Sequence, residues 1–498
     1  MKPHVLVTAT CALILAGCTL GPDFHAPAAP DAASWTREGM PAATAPASAT
    51  SNNTSNGTSG TQTFATVPNV PDAWWKQFGS PALDQLVDAA LAASPTLDSA
   101  RAKLIEAREN YNAQAGATRF PHVDASLSAT REKIDLASFG ITAVPNPGPF
   151  TLYDASISVS YVFDLFGANR RALEATLAQV DYQAYELAAA RLSVAGNVVA
   201  SAVRRASLRR QIEITQQLID AQSRQLAIME ARLAAGGVAD IDVRSQRTLL
   251  AQTRATLPPL ETQLAQTDHQ LAVLLGVAPA STQFDAQRNA LTLDALRLPD
   301  TVSLTLPSTL ARARPDIRAA EAVLHQASAN VGVATANLYP QITLSAGIGS
   351  ERTRVEDVVN GLNIWNFGLG LTQPVFHGGE LRAKKRASEA AWDAAFADYR
   401  QTVLQALQQV ADTLRALEND ALELQSRNIA HREAEASATV ALARYEAGGV
   451  SEFSLIDTQR QALQTSLDRT LAEANRLADT AALYQALGGA ALPPQTAQ

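Results

Sequence analysis

Arg232-Leu233-Ala234-Ala235-Gly236-Gly237-Val238 recurs as Arg444-Tyr445-Glu446-Ala447-Gly448-Gly449-Val450, 212 residues further on. Each copy closes a long proline-free run, from Ala168 to Leu233 and from Glu380 to Glu446. A glycine pair at such a place predicts a helix C-cap and a tight turn, because glycine enters the left-handed conformation without a Cβ penalty. At 1.5 Å per residue each run makes a helix about 100 Å long. A second run returns after each turn, Asp240 to Leu275 and Glu452 to Leu487, with Pro258-Pro259 expected to kink or break the first of them. Leu173, Leu177, Val180, Ala184 and Leu187 step by four and three, as do Val403, Leu407, Val410, Leu414, Leu417, Ala421 and Leu424. That is coiled-coil spacing.

The repetition extends outward from the turns. Phe120-Pro121 and Tyr339-Pro340 end shorter helical patterns, over 81–119 (interrupted around Ser94-Pro95) and 318–337. Phe163-Asp164-Leu165-Phe166-Gly167 and Val375-Phe376-His377-Gly378-Gly379 open the two long runs. Between these markers apolar and polar residues alternate. Val123, Ala125, Leu127 and Ala129 oppose Asp124, Ser126 and Ser128, and Tyr153 through Phe163 oppose Asp154, Ser156, Ser158 and Ser160 in the same manner. Ile342, Leu344, Ala346 and Ile348, then Trp365, Phe367, Leu369 and Leu371, repeat the pattern. Period two predicts four strands, near 121–131, 151–164, 341–351 and 363–375. Solenoid repeats run about 20 to 50 residues, so this longer period is a duplicated, domain-sized unit.

These elements make demands on packing. Strands of about ten residues have the length of tilted outer-membrane strands, and their alternation suits one lipid-facing and one lumen-facing side. Four strands cannot close a barrel, and an open edge in lipid is not tolerated. Either the strands lie in water or several copies share one barrel. The long helices also need partners packed side by side. A periplasmic structural coiled-coil rod with a small β cap meets the same periodicity.

Composition agrees with long helices: 47% of residues are hydrophobic but only 5% aromatic, and alanine abounds. A net charge of −8 without a polybasic block gives no reason to expect nucleic acid. Lys2 and the short apolar run Val5 to Leu15 predict a signal peptide over 1–17. Leu15-Ala16-Gly17-Cys18 has the form of a lipoprotein box, so Cys18 is expected to carry covalent acyl chains that anchor the protein firmly. Cys11 leaves with the signal, and no disulfide follows from two cysteines used in this way. No later segment has about 18 consecutive apolar residues, the mark of a spanning helix. Residues 26–67, rich in Pro and Ala and then in Ser, Thr, Asn and Gly, predict a flexible linker, with ordered structure starting near Trp74-Trp75.

Several of these motifs resemble those of the TolC-type outer-membrane efflux lipoproteins, the OprM/NodT-like branch. Cys18-Thr19-Leu20-Gly21-Pro22-Asp23-Phe24 does so, as do Trp74-Trp75-Lys76-Gln77-Phe78, Asp164-Leu165-Phe166-Gly167, Arg314-Pro315-Asp316-Ile317 and Gln373-Pro374-Val375-Phe376. They occur in order over nearly the whole mature chain. The resemblance implies a mixed α and β membrane protein: a TolC-like homotrimer whose 12-stranded outer-membrane β-barrel, four strands per chain, continues into a long periplasmic α-helical barrel. It implies passive export of small molecules such as drugs and aromatic or other toxic compounds. An inner-membrane pump, often of the resistance-nodulation-division type, supplies the energy, and a periplasmic adaptor joins pump to channel. Thr19 after Cys18 resembles the family's signal for the Gram-negative outer membrane. A type I protein secretion channel remains a second reading within the family.

The division that follows is 1–17 signal peptide, 18–72 lipidated segment and linker, 73–285 first repeat with helix hairpin 168–275, 286–490 second repeat with hairpin 380–487, and 491–498 tail. The turns Gly236, Gly237, Val238 and Gly448, Gly449, Val450 are expected at the periplasmic tip, in contact with the adaptor. Phe453, Asp457 and Arg460 share one helical face. In a trimer Asp457 would form a ring of three carboxylates, with Phe453 as an apolar plug and Arg460 pairing with the ring; charged rings and apolar constrictions both gate channels. Matching the family pattern places its gate residues at Phe453, Asp457 and Arg460, with a further tip aspartate at Asp242 and the tyrosine before the turn at Tyr445. Val450 and Ser454 depart from the pattern, which has an arginine and a second aspartate there. A solvated helix N-terminal acid is the plainer reading of Asp457. No metal spacing, nucleophile elbow or phosphate loop points to catalysis, so neither an enzyme nor a cofactor beyond the lipid is expected. His377, at a strand–helix junction, reads as structural or solvated rather than as a ligand. Trp365 and Tyr153 suit an interfacial aromatic belt or ordinary core packing equally.

Overall fold

The computed structural model describes residues 19–28, 34–37, 39, 43–46, 60–67 and 70–489. The signal peptide, Cys18, most of the 26–67 segment and the tail lie outside the described residues. In chain order the elements are β1 (Thr63–Thr66), α1 (Pro81–Ala93), α2 (Pro95–Arg119), β2 (His122–Glu132), β3 (Phe150–Phe163), α3 (Ala168–Ala234) and α4 (Asp240–Leu274). There follow α5 (Asp285–Ala290), β4 (Thr301–Leu304), α6 (Pro307–Ala313), α7 (Pro315–Ala336), β5 (Gln341–Arg352), β6 (Ile364–Thr372), α8 (Glu380–Glu446) and α9 (Glu452–Ala486). Both long helices are 67 residues and both returning helices 35 residues, so the two helix hairpins match in length. The chain packs as two compact units. One comprises residues up to 27, 103–183 and 320–399; the other comprises 28–102, 184–319 and residues from 400 on.

The first unit holds a four-stranded antiparallel sheet in the order β2-β3-β5-β6. Register sorts its faces. Val123 lies opposite Val159, Ile157 opposite Ile348, Tyr161 opposite Leu344, Ala346 opposite Phe367 and Ile348 opposite Trp365. All are on one face. The alternate residues, among them Asp124, Ser158, Ser160, Ser345 and Asn366, occupy the other. Trp365, Phe367, Leu369 and Leu371 are well exposed, as are Val123 and Leu127. A row of exposed apolar side chains on a sheet has to be covered by something apolar. The helices attach at one end of the sheet, beside His122, Phe163, Gln341 and Thr372, and the two connecting loops lie at the other. Among the described residues both outer strands, β2 and β6, have a free edge.

Residues 19–24 also belong to this unit and are seated against α3 and α7. Leu20 N–H donates to Phe166 O at 3.2 Å. The buried Arg171 guanidinium donates to Leu20 O at 3.3 Å, to Asp23 Oδ1 at 2.6 Å and to Glu174 Oε2 at 2.7 Å. Glu174 Oε1 in turn meets His325 Nε2 at 2.8 Å, and the His325 ring stacks on Phe24 at 4.3 Å. Burial raises the Glu174 carboxyl, but hydrogen bonds from His325 and Arg171 outweigh this and leave it below the usual carboxylate value. Glycine makes the fit possible: a Cβ on Gly21 would stand 2.4 Å from Gly332 Cα, and one on Gly167 would meet Thr19 at 2.8 Å.

In the second unit β1 pairs in parallel with β4, Phe64 opposite Val302. These two strands were not expected, and β1 lies inside the segment read as linker. Four residues among Ser, Thr and Gly are too few to show a period. Trp74, fully buried, stacks on Tyr484 at 5.6 Å. Arg314 binds Asp316 through two bonds of 3.0 and 2.6 Å and donates to Ala486 O at 2.6 Å, tying the start of α7 to the end of α9. Arg205–Asp268 at 2.6 Å and Arg427–Asp468 at 2.8 Å link the arms of the two helix hairpins.

Two further expectations change. Pro258 and Pro259 do not break α4, which continues through both. Both prolines face solvent, so the carbonyls they leave unbonded can be hydrated. The apolar stripe of α8 is buried as expected except at Leu407. In α3, by contrast, Leu173, Leu177, Ala184 and Leu187 are only half-buried, and Ala175, Ala178, Tyr185 and Ala188 fill the core beside Val180. One stretch of α3 is apolar and long enough to cross a membrane by composition, but 56% of it is buried within the chain.

Candidate functional site

The turn ends of the two helix hairpins come together in the second unit around a groove of about 790 Å³. Each turn is built alike. Gly236 and Gly448 both have φ of 75°. Gly237 N–H bonds to Arg232 O at 2.8 Å, and Gly449 N–H to Arg444 O at 2.7 Å. This six-to-one closure, with a left-handed residue before it, satisfies carbonyls that the helix end would leave bare. Only the first glycine of each pair needs to be glycine. A Cβ on Gly237 or Gly449 would find its nearest neighbour at an ordinary 3.5 Å.

Gly237, Val238, Asp242, Tyr445, Phe453, Asp457 and Arg460 all line the groove; Gly236, Gly448, Gly449 and Val450 are outside its lining. Arg460 Nη2 donates to Asp457 Oδ1 at 2.9 Å, both side chains being more than half exposed. Asp457 lies beyond the first turn of α9, where Glu452 sits, so the helix dipole does little for it. Phe453 is 78% exposed. Its ring stands one turn from the exposed Asp457–Arg460 pair.

The sequence did not reveal what crosses between the hairpins. Arg232 donates to the Tyr445 hydroxyl, and its guanidinium lies 5.3 Å from the centre of that ring and 4.0 Å from Glu452 Oε2. Gln225 donates to Glu452 Oε1. Only the repeated Arg before each glycine turn hinted at this, since both repeats have it and only Arg232 is used in this way. The equivalent Arg444 is exposed. Elsewhere, His377 is half-exposed and 3.9 Å from Glu380. Trp365 and Tyr153 both lie on the apolar face of the sheet, Trp365 well exposed.

Residues 86–277 and 306–489 match the family described as outer membrane efflux protein. The chain belongs to that family. It is 32% identical over 418 residues to the pyoverdine export outer membrane protein OpmQ of Pseudomonas aeruginosa, covering 84% of this chain and 87% of the relative. It is 30% identical over 485 residues to the solvent efflux pump outer membrane protein SrpC of Pseudomonas putida, covering 96% of each. The solved structure of the outer-membrane channel OprN superimposes with a TM-score of 0.81 at 28% identity, over 96% of this chain and 100% of that one. This efflux protein therefore has the TolC-like channel fold, helix-rich with a small share of sheet, and it resides in the outer membrane. Membership sets aside the structural rod.

The motifs that carried the resemblance now have physical reasons. Asp164 caps α3, accepting from Asn169 N–H at 3.1 Å and Arg170 N–H at 2.9 Å. Arg314 and Asp316 form the buried tie to α9, Trp74 is the core of its unit, and Asp23 and Phe24 seat the N-terminal strap.

Proposed function

We propose that three copies close one 12-stranded barrel in the outer membrane, four strands from each, and that their long helices continue it into the periplasm as an α-helical barrel. The sheet carries this reading, with its single apolar face, its single polar face and two free edges. Alternating strand direction leaves β2 and β6 running oppositely, so β6 of one copy can pair in antiparallel fashion with β2 of the next. Closure removes every edge. The half-buried leucines of α3 would then be covered by neighbouring copies. Cysteines placed in β2 and β6 should form disulfide-linked trimers in outer membranes; products no larger than one chain would end this reading.

The channel passes small molecules delivered by an inner-membrane pump through a periplasmic adaptor, and the lipid on Cys18 holds it on the periplasmic side of the membrane. Cargoes named for the relatives, pyoverdine and solvents, support small-molecule export. The turns at Gly236-Gly237-Val238 and Gly448-Gly449-Val450 form the periplasmic tip and meet the adaptor. Phe453 and the Asp457–Arg460 pair close the tip, assisted by Tyr445 and Asp242. A deletion strain should become sensitive to drugs, solvents or aromatic acids. If it instead loses secretion of one protein, type I secretion takes its place. Labelled palmitate should enter the wild-type chain and not a Cys18→Ser variant.

A further inference from the structure

We infer that the loop end of the sheet's apolar face binds the phosphate groups of a phosphorylated glycolipid in the outer leaflet, through Arg131, Lys133, Arg352 and Arg354. The inference rests on the channel reading, which makes that face the lipid-facing one. Charge in the four strands is sorted by face. Asp124, Glu132, Asp154 and Glu351 all lie on the polar face, with Asp154 directly opposite Glu351. Arg131 and Arg352 are the only Lys or Arg residues within the strands, and both lie on the apolar face, in its last rows before the loops. Arg352 pairs in register with Tyr153, and Arg131 with Thr151 on the same strand. Lys133 and Arg354 follow each arginine by two residues, and both are exposed.

The position is costly without a partner. Strand partners could have neutralised these cations had they been placed on the opposite face, where the carboxylates are. Instead they extend an apolar surface in which Trp365 lies two rows nearer the helices than Arg352, and Tyr153 stands beside Arg352 in the same row. An apolar band, an aromatic residue and a cation, in that order, follow a leaflet from acyl chains through the interface to the headgroups. Guanidinium groups match phosphate oxygens in geometry and charge. The helices leave the opposite end of the sheet, so the loop end faces outward in the proposed orientation. Arg131 and Arg352 flank β3 on neighbouring strands, offset by two residues along it and about 12 Å apart by strand geometry, which lets one headgroup with more than one phosphate touch both.

The test uses the full-length protein purified in detergent and titrated with lipopolysaccharide. Wild type should bind it and gain thermal stability. The variant R131Q/K133Q/R352Q/R354Q should bind about tenfold more weakly or worse, while conducting normally in planar bilayers. A second variant, R131K/R352K, should retain most of the binding. Enzymatically dephosphorylated lipopolysaccharide should bind as weakly to wild type as the intact lipid does to the Gln variant. Equal binding by wild type and the Gln variant would overturn the proposal, as would equal binding of dephosphorylated lipid. So would competition by millimolar inorganic phosphate or by zwitterionic phospholipid vesicles. Absence of conductance in wild type would count against the channel reading itself, independently of any lipid result.

Discussion

The first and second helix hairpins have the same lengths and the same glycine turns, yet their turn ends differ in almost every polar side chain. Where the second has Phe453, Asp457 and Arg460, the first has Ile241, Ser245 and Thr248. The apolar position is kept, since Ile241 is 66% exposed and Phe453 78%, while the ion pair occurs once. Where the second caps its returning helix with Ser451, the first has Ala239, which makes no side-chain cap. Further along, the second holds Asp420 near Asp479 where the first holds the buried Leu208 and Thr267. Backbone closure is what duplication preserved, and the placing of charge is what divergence changed: the first hairpin pairs Asp240 with Arg244 and Glu230 with Arg247, the second Asp457 with Arg460.

The largest expected effect breaks the comparison at the ion pair. Asp457→Ala should raise single-channel conductance several-fold, whereas Ser245→Ala at the equivalent place should leave it unchanged; equal responses would remove Asp457 from the gate. The carboxyl pair offers the next contrast. Burial, then the neighbouring Asp479, pushes the Asp420 carboxyl up to about 7. Its folded value exceeds its unfolded one, so the folded protein holds a proton that the unfolded chain gives up between about pH 4 and pH 7. Stability from this site is therefore full below that window, falls as pH rises through it and is flat above. Thermal unfolding should show Asp420→Asn stabilised over wild type at pH 8, by on the order of 1–2 kcal/mol after solvent screening, and not at pH 4. Leu208→Ala, a cavity in the same place of the other hairpin, should destabilise equally at both pH values.

Gly236→Ala and Gly448→Ala should each cost about 1 kcal/mol, because both force a Cβ into the left-handed region. Near-identical losses, read by hydrogen exchange at each turn, would confirm that closure is the shared part. The smallest effect is expected at the caps. Ser451→Ala should lose about 1 kcal/mol of local stability and Ala239→Ser should gain a similar amount. Failure of the gain would mean that Asp240 and Asp242 already satisfy that helix start.

Much of this architecture can be read from residue order, because long helices and lipid-length strands announce themselves by period. The strands expected near 121–131 and 341–351 are found at His122–Glu132 and Gln341–Arg352, and the α8 stripe is buried except at Leu407. The α3 stripe misleads for a physical reason: period reports which residues are apolar, not which partner covers them. At the hairpin ends, spacing brought Phe453, Asp457 and Arg460 to one groove, but the Arg232–Tyr445 contact joins residues 213 apart and leaves no periodic trace. The Asp420–Asp479 pair and the strap around Arg171 are hidden likewise.

That strap has a consequence in time. Its groove is made by Gly167 and Arg171 on one side and by His325 and Gly332 on the other. Residues 19–24 cannot settle until a helix about 300 residues downstream has been delivered and packed, a contact of long sequence separation and slow formation. Residues 19–24 are thus among the last parts to come to rest, and an unseated strap would mark every molecule whose second repeat is still unfinished.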